Sequence, residues 1–292
     1  MGMNRNFEVI TKLYRPYKIT KKNNVFIFNT MEGNYVIKLN PKINYPKLYS
    51  YLYSRSFSYL PELSVDSRED LVVLEYIEDI EMDKEQKALD LINLVSLLHS
   101  KTAYFKDVTN DKYKEIYECL KNNIMYLDSL YNEYFLKFLE EEYMVPSHYL
   151  FLRNYSLIYN AIHYSLDQLD MWYSLIKDKN KQRVVLVHNN LKLEHLIKNR
   201  DEYLISWDNY TFDTPVLDLY KLYLNEWENL TLKEIFDTYN GSFELLEEEK
   251  KLFDILISIP FKVLFDSNEY ENCRNVRKLI NYLNSSSKII IN

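Results

Sequence analysis

"VVLVHNNLKLEHLI" (184–197) and "EYLISWDNYTFDTPVLDLYKLY" (202–223) decide how this chain is read. The apolar run 184–187 is short and β-rich, so it predicts a buried strand ending at His188, with a polar loop after it. A second short strand is expected near 202–206, running through Trp207-Asp208 toward Asp213-Thr214-Pro215. From Val216 the apolar spacing becomes three and four, the period of an amphipathic helix. This order of strand, polar loop, hairpin and helix gathers His188, Asn190, Glu194, His195, Ser206 and Asp208 into one short stretch of chain.

Toward the N-terminus the pattern is β-rich. "VFIFNT" (25–30) and "NYVIKL" (34–39) predict two strands joined through "MEG", with Gly33 available for the turn. "PKLYSYLYSRSFSYL" (46–60) predicts a helix begun at Pro46 and stopped by Pro61, and "DLVVLEYIE" (70–78) predicts a buried strand that runs into a connector. Strand alternation puts Val36 and Lys38 on one face and Tyr35, Ile37 and Leu39 on the other. Beyond the connector the period is helical. Ala88, Leu91, Ile92, Val95 and Leu98 form one apolar stripe, and further helices are expected at 111–143, 155–178, 216–228, 231–238, 245–258 and 270–284. The expected class is therefore α+β and two-lobed. A small β-rich lobe with one helix covers 1–78, hinged at its end, and a larger, mainly helical lobe covers 79–292.

The chain has 292 residues, with 47% hydrophobic and 27% charged side chains, the balance of a globular protein. Its net charge of −7 does not favour nucleic acid as a partner. No run of 18 apolar residues exists and the start lacks the apolar core of a signal peptide, so the expectation is a cytoplasmic protein without a membrane segment. Two cysteines are too few for a disulfide framework. The 28 tyrosines are amphipathic and can be absorbed at half-buried positions.

The spine His188, Ile205, Trp207, Asp208, Asp213, Pro215, Asp218 and Leu219 resembles the signature of the aminoglycoside phosphotransferase and choline kinase superfamily. That signature is H-G-D-x-x-x-x-N, then I-D-[WF]-[DE], then D-P-x-x-D-L. "LVSLLHSKTAYF" (94–105) is most similar to the spore-coat kinase-like branch. The resemblance implies a protein-kinase-like fold and a nucleotide cleft, with Val36 and Lys38 on one wall and Glu75, Tyr76 and Ile77 in the connector. ATP and Mg²⁺ are the cofactors it implies, and His188 takes a structural role near the turn of the catalytic loop.

The departures from the signature carry as much information. Asn190 stands where the resemblance implies the catalytic Asp, and an amide orients a hydroxyl but cannot accept its proton. Loss of a positioned base costs about 10² to 10⁴ in rate. His195 and Ser206 stand where it implies the two metal ligands, and Mg²⁺ prefers hard oxygen donors, carboxylates among them. No Asp or Glu occurs from Asn40 through Pro61, so the helix behind the lysine strand offers Lys38 no carboxylate. "KITKKNNVFIF" also lacks the glycines of a phosphate loop, and Asn23-Asn24 substitute only in part. The seven-residue spacing of His188 and His195, with no cysteine nearby, does not suggest a transition-metal site.

Two readings follow, and Asp208 divides them. The first is a catalytically impaired kinase-like protein (a pseudokinase) that serves as a scaffold for a protein partner or small molecule, in a spore-coat-like assembly. The alternative is a divergent ATP-dependent kinase that phosphorylates a hydroxyl group, with Asp208 recruited as metal ligand. Nucleotide binding without metal, as a sensor, would need only the adenine wall. An Asp208 carboxylate that converges on the cleft of Lys38 and Asn190 favours the enzyme, and a side chain turned into the helical lobe sinks it.

Overall fold

The computed structural model describes residues 2–22 and 25–290, with side chains from residue 6 onward. Asn23 and Asn24, the stand-ins for a phosphate loop, lie outside the described residues. The chain is α+β, with a β-sheet N-terminal region and a helical C-terminal part. It opens with α1 (Gly2–Tyr14), β1 (Lys18–Lys22), β2 (Val25–Asn29), β3 (Asn34–Leu39), α2 (Tyr45–Ser54), β4 (Leu71–Glu75) and α3 (Lys84–Thr102). Next come β5 (Tyr104–Asp107), α4 (Asn110–Leu139), α5 (Pro146–Arg153), α6 (Tyr155–Ile176) and β6 (Lys181–Val187). The hairpin β7 (Leu196–Lys198) and β8 (Glu202–Leu204) precedes β9 (Thr211–Asp213), α7 (Val216–Glu226), α8 (Leu232–Ser242), α9 (Glu247–Ser258) and α10 (Glu269–Ile290).

Two compact units result, Met1–Thr102 with His188–Thr211, and Ala103–Val187 with Phe212–Asn292. Chain order suggests a division near residue 78. Contacts instead group the loop and hairpin of 188–211, together with α3, with the N-terminal sheet.

In the first unit β1-β2-β3-β4 form one antiparallel sheet. Ile37 packs with Ile10, Phe28, Leu71 and Val73, and Tyr35 and Leu39 lean on the same cluster, so this face of β3 is the core face. Helix α1 supplies Phe7, Ile10 and Tyr14 at spacings of three and four, an apolar stripe that the sequence reading left unassigned. The Tyr14 hydroxyl reaches Ser64 Oγ and Asp66 Oδ2, each at 2.8 Å, and burial together with the Asp66 charge pushes its pKa up to about 12.

Helix α2 begins at Asn44, whose side chain accepts from the Lys47 N–H at 2.9 Å. It ends at Ser54, not near Pro61 as the sequence suggested. Ser56 is left-handed (φ 55°), Phe57 N–H returns to the Leu52 carbonyl and Ser56 N–H to the Tyr53 carbonyl, the paired bonds of a Schellman stop. Phe57, fully buried just after this stop, holds the exit in place. In α3 the apolar stripe Ala88, Leu91, Ile92, Val95 and Leu98 is buried along its length.

The connector after β4 is fastened to the β7–β8 hairpin. Ile80 N–H donates to the Lys198 carbonyl (2.8 Å), Lys198 N–H to Asp79 Oδ1 (2.8 Å), and Asn199 Nδ2 to the Glu78 carbonyl (2.8 Å). The Lys198 ammonium meets Asp90 of α3 and, at 2.9 Å, Glu202. These bonds bind 188–211 into the first unit.

In the second unit β5-β6-β9 form a three-stranded sheet beside seven helices. The helix expected at 111–143 is α4, which stops at Leu139, and Pro146 opens the separate helix α5 beyond it. Part of the tyrosine surplus becomes buried hydrogen-bonded core: Tyr131 donates to the Phe261 carbonyl at 2.6 Å and Tyr223 to the Tyr282 carbonyl at 2.9 Å. Among the described residues no helix is long and apolar enough to cross a membrane.

Candidate functional site

Because Ile37 points into the core, Val36 and Lys38 occupy the opposite face of β3. Val36 sits between Ile27 and Leu74, and Lys38 between Val25 and Val72. The Lys38 ammonium lies 2.7 Å from Asp208 Oδ2 and donates to the Tyr45 hydroxyl at 2.5 Å, and that hydroxyl donates to Asp208 Oδ1 at 3.0 Å. The ammonium also stands 4.9 Å from the centre of the Tyr45 ring. The three groups close a triangle, with the Lys38 side chain 13% exposed and that of Asp208 36%.

Tyr45 opens α2 and is 1% exposed. Burial first, and the neighbouring Asp208 charge second, drive its pKa far above the ordinary tyrosine value, so it stays a phenol and donates. The acid-free segment had signalled that Lys38 needs a partner from elsewhere. Tyr45 itself escaped sequence reading because a tyrosine at a helix start carries no charge signal.

Asp208 arrives by an unexpected route. The sequence suggested a strand near 202–206 running on through Trp207 and Asp208. Instead β8 stops at Leu204, Ser206 turns left-handed (φ 67°, ψ 46°), and Trp207–Asn209 form one 3₁₀ turn. Trp207, 1% exposed, fixes that turn. Its Nε1–H donates to the Leu204 carbonyl at 2.8 Å, and its ring meets Phe57 and His188 edge-on.

In the preceding loop Asn189 is left-handed (φ 57°), a conformation that Asn tolerates better than most residues. His188 is buried, and its Nε2–H donates to the Ile205 carbonyl at 2.7 Å, tying loop to hairpin. His195 Nδ1–H donates to the Asn190 carbonyl at 2.6 Å, and Ile205 N–H donates to the His195 carbonyl at 2.9 Å. A carbonyl only accepts, so Nδ1 carries the proton and Nε2 keeps the lone pair. Burial lowers the His195 pKa, against the opposing bond to Asn190. The unfolded chain then takes up this proton near pH 6.5 while the folded chain resists. The stability His195 contributes is complete above pH 6.5 and falls as pH drops through the interval below it. Substituting His195→Gln should flatten the loss of urea stability between pH 7.5 and 5.5, measured against the parent.

In the connector, Glu75 N–H donates to the Glu62 carbonyl and Tyr76 N–H to the Asn34 carbonyl, both at 2.9 Å. Two of the three backbone donors there are thus engaged within the unit, and Ile77 is the remaining one of the segment that sequence reading assigned to an adenine.

A magnesium ion fits this arrangement poorly. The one carboxylate of the triangle already holds an ammonium on one oxygen and a phenol on the other. A divalent ion there would face the Lys38 charge at close range. His195 and Ser206, where the resemblance implies metal ligands, offer an imidazole and a hydroxyl in place of carboxylate or amide oxygen. Among the described residues no group of three or more His, Cys, Asp or Glu could hold a metal ion.

No family model matches the sequence, and neither does any curated protein. Among solved structures, the chain is similar to an aminoglycoside phosphotransferase from Alicyclobacillus acidocaldarius, with TM-score 0.62, 10% identity, and 94% of this chain and 92% of that one covered. It is similar to spectinomycin phosphotransferase in an AMP-bound complex, with TM-score 0.55, 11% identity and 99% of both chains covered. A choline kinase from Streptococcus pneumoniae follows at TM-score 0.48 and 15% identity, with 97% and 96% covered. At 10% and 11% identity the first two likenesses show the fold alone, and the fold of this chain is that of the aminoglycoside phosphotransferases.

Proposed function

We propose that this protein uses a phosphotransferase fold for binding, as a scaffold for a protein partner, and has given up efficient transfer from MgATP. The observation that carries the reading is that both oxygens of Asp208 are already engaged, one by the Lys38 ammonium and the other by the Tyr45 hydroxyl. In kinases the strand lysine pairs with phosphates and with a helix carboxylate, while a separate carboxylate holds the metal. Here the lysine and the nearest carboxylate neutralise one another, and a phenol stands where a helix carboxylate would be. Asn190 at the base position and the His195 and Ser206 positions point the same way. Association with a spore-coat-like assembly rests on the sequence resemblance of 94–105 and belongs to the same proposal.

One observation favours the enzyme alternative: the Asp208 carboxylate converges on Lys38. A small-molecule kinase of this kind would have to open the triangle and turn Asp208 to a metal ion. Thermal shift of the purified protein with ATP or GTP, with and without Mg²⁺, separates the two. A ligand that binds only the folded state raises the melting temperature by mass action, by about 2.7 kcal/mol of stability at one hundred times its Kd. The expected result is a shift below about 1 °C at 1 mM nucleotide in every condition, less than a ligand near its Kd would give. A clear Mg²⁺-dependent rise would overturn the scaffold reading, and a rise without Mg²⁺ would replace it with a nucleotide sensor.

A further inference from the structure

We infer that the second unit carries a docking groove for an acidic, extended polypeptide segment of a protein partner. The inference deepens the binding role proposed above and rests on it for its biological setting. The groove lies along α10, flanked by the segment from Trp227 to Lys233 and by Pro146, and encloses about 1390 Å³. Small-molecule pockets hold roughly 300–1,000 Å³, so this space is larger than one compact ligand requires.

Its charge is opposite to that of the molecule. Lys233, Arg274, Arg277, Lys278 and Lys288 line it, against two carboxylates, Glu228 and Glu269. Glu228 is matched by Lys278 at 3.2 Å, and Arg274 is paired with Glu271 of its own helix at 3.3 Å. Glu269 is turned onto α5, where it accepts from the Ser147 N–H at 2.6 Å and the Ser147 hydroxyl at 2.7 Å. The groove therefore keeps a cationic excess on a chain whose net charge is −7.

The pattern of α10 explains the stripe. Its buried residues Val276, Leu279, Tyr282, Leu283 and Ser286 take the inner face. Tyr270, Arg274, Arg277, Asn281, Asn284 and Lys288 follow at spacings of three and four on the groove side, so a ring, two cations, two amides and a further cation succeed one another along it. The stripe from Tyr270 to Lys288 runs about 27 Å at 1.5 Å per residue. An extended chain rises about 3.3 Å per residue, so roughly eight residues would span it. Arginine forks and amide side chains suit carboxylates and peptide groups. Nucleic acid is less well served, because the rest of the molecule is acidic and the groove offers only Trp227 and Tyr270 for base stacking.

The test uses the full chain and fluorescence anisotropy of a labelled decapeptide of alternating Glu and Gly, beside its Lys-Gly counterpart and a ten-nucleotide oligothymidylate. Binding of the acidic peptide should weaken at least tenfold in the doubly reversed variant Arg274→Glu with Arg277→Glu, both exposed positions. It should change less than twofold in the control Lys42→Glu with Lys47→Glu, an equal change of charge on exposed lysines elsewhere. No binding of the acidic peptide, equal loss in both variants, or tighter binding of the oligothymidylate overturns the proposal. Nucleotide thermal shift is read separately: a Mg²⁺-dependent rise would sink the scaffold reading yet leave peptide binding standing, and absent peptide binding would do the reverse.

Discussion

Trp207→Ala should destabilise the protein more than any substitution in the triangle, by about 3–5 kcal/mol, the range for removing a buried aromatic. The indole is 1% exposed, and its N–H holds the Leu204 carbonyl. It also supports Phe57, the residue that closes the exit from α2, and His188, the residue that ties the loop to Ile205. One deletion thus loosens the helix exit, the loop and the turn that carries Asp208. Urea unfolding followed by far-UV circular dichroism reads the loss as a fall in midpoint, without depending on the fluorescence of the removed indole. Trp207→Phe, which keeps an aromatic ring and discards the N–H, should cost less. A loss under about 1 kcal/mol for the alanine variant, the scale of an ordinary substitution, would mean that the turn is held by other groups.

The second large effect concerns the triangle itself. Asp208→Ala should cost about 2–3 kcal/mol, because Lys38 would keep a largely buried charge with only a phenol beside it. That figure lies below the 3–5 kcal/mol for breaking a fully buried pair, since the Asp208 side chain remains about a third exposed. Lys38→Met should cost less than Asp208→Ala, as the abandoned carboxylate retains contact with water and with Tyr45. The double variant Lys38→Met with Asp208→Ala should recover part of the loss, a coupling of about 1–2 kcal/mol in a double-mutant cycle. Tyr45→Phe should cost about 1 kcal/mol through its hydroxyl bonds. Strict additivity of the Lys38 and Asp208 changes would mean that the pair is open in solution, and would restore the enzyme alternative to equal footing.

The local patterns were legible from the chain. Alternation in 34–39 separated Val36 and Lys38 from Tyr35, Ile37 and Leu39, and the three-and-four spacing of 88–98 predicted the buried stripe of α3. Both depend on neighbours within a few residues. Helix α1 is legible in the same way, through the three-and-four spacing of Phe7, Ile10 and Tyr14. The end of α2 was harder. A left-handed serine at 56 stops the helix well before Pro61, and Ser rather than Gly at that place gives no warning.

What the sequence by itself determined is the class of fold, the spine from His188 to Leu219, and the want of a helix carboxylate for Lys38. Each of these is written in residue types and short spacings. Only the tertiary structure decided what Lys38 holds instead. Its partner Asp208 lies 170 residues away, brought there by a left-handed turn at Ser206 and a buried indole. The basic groove was decided in the same way, because its charges come from α10 and from the start of α8, which approach only when the helical unit packs. Spacing along a chain fixes periodicity. Which distant charges become neighbours is settled by burial, and burial is a property of the whole fold.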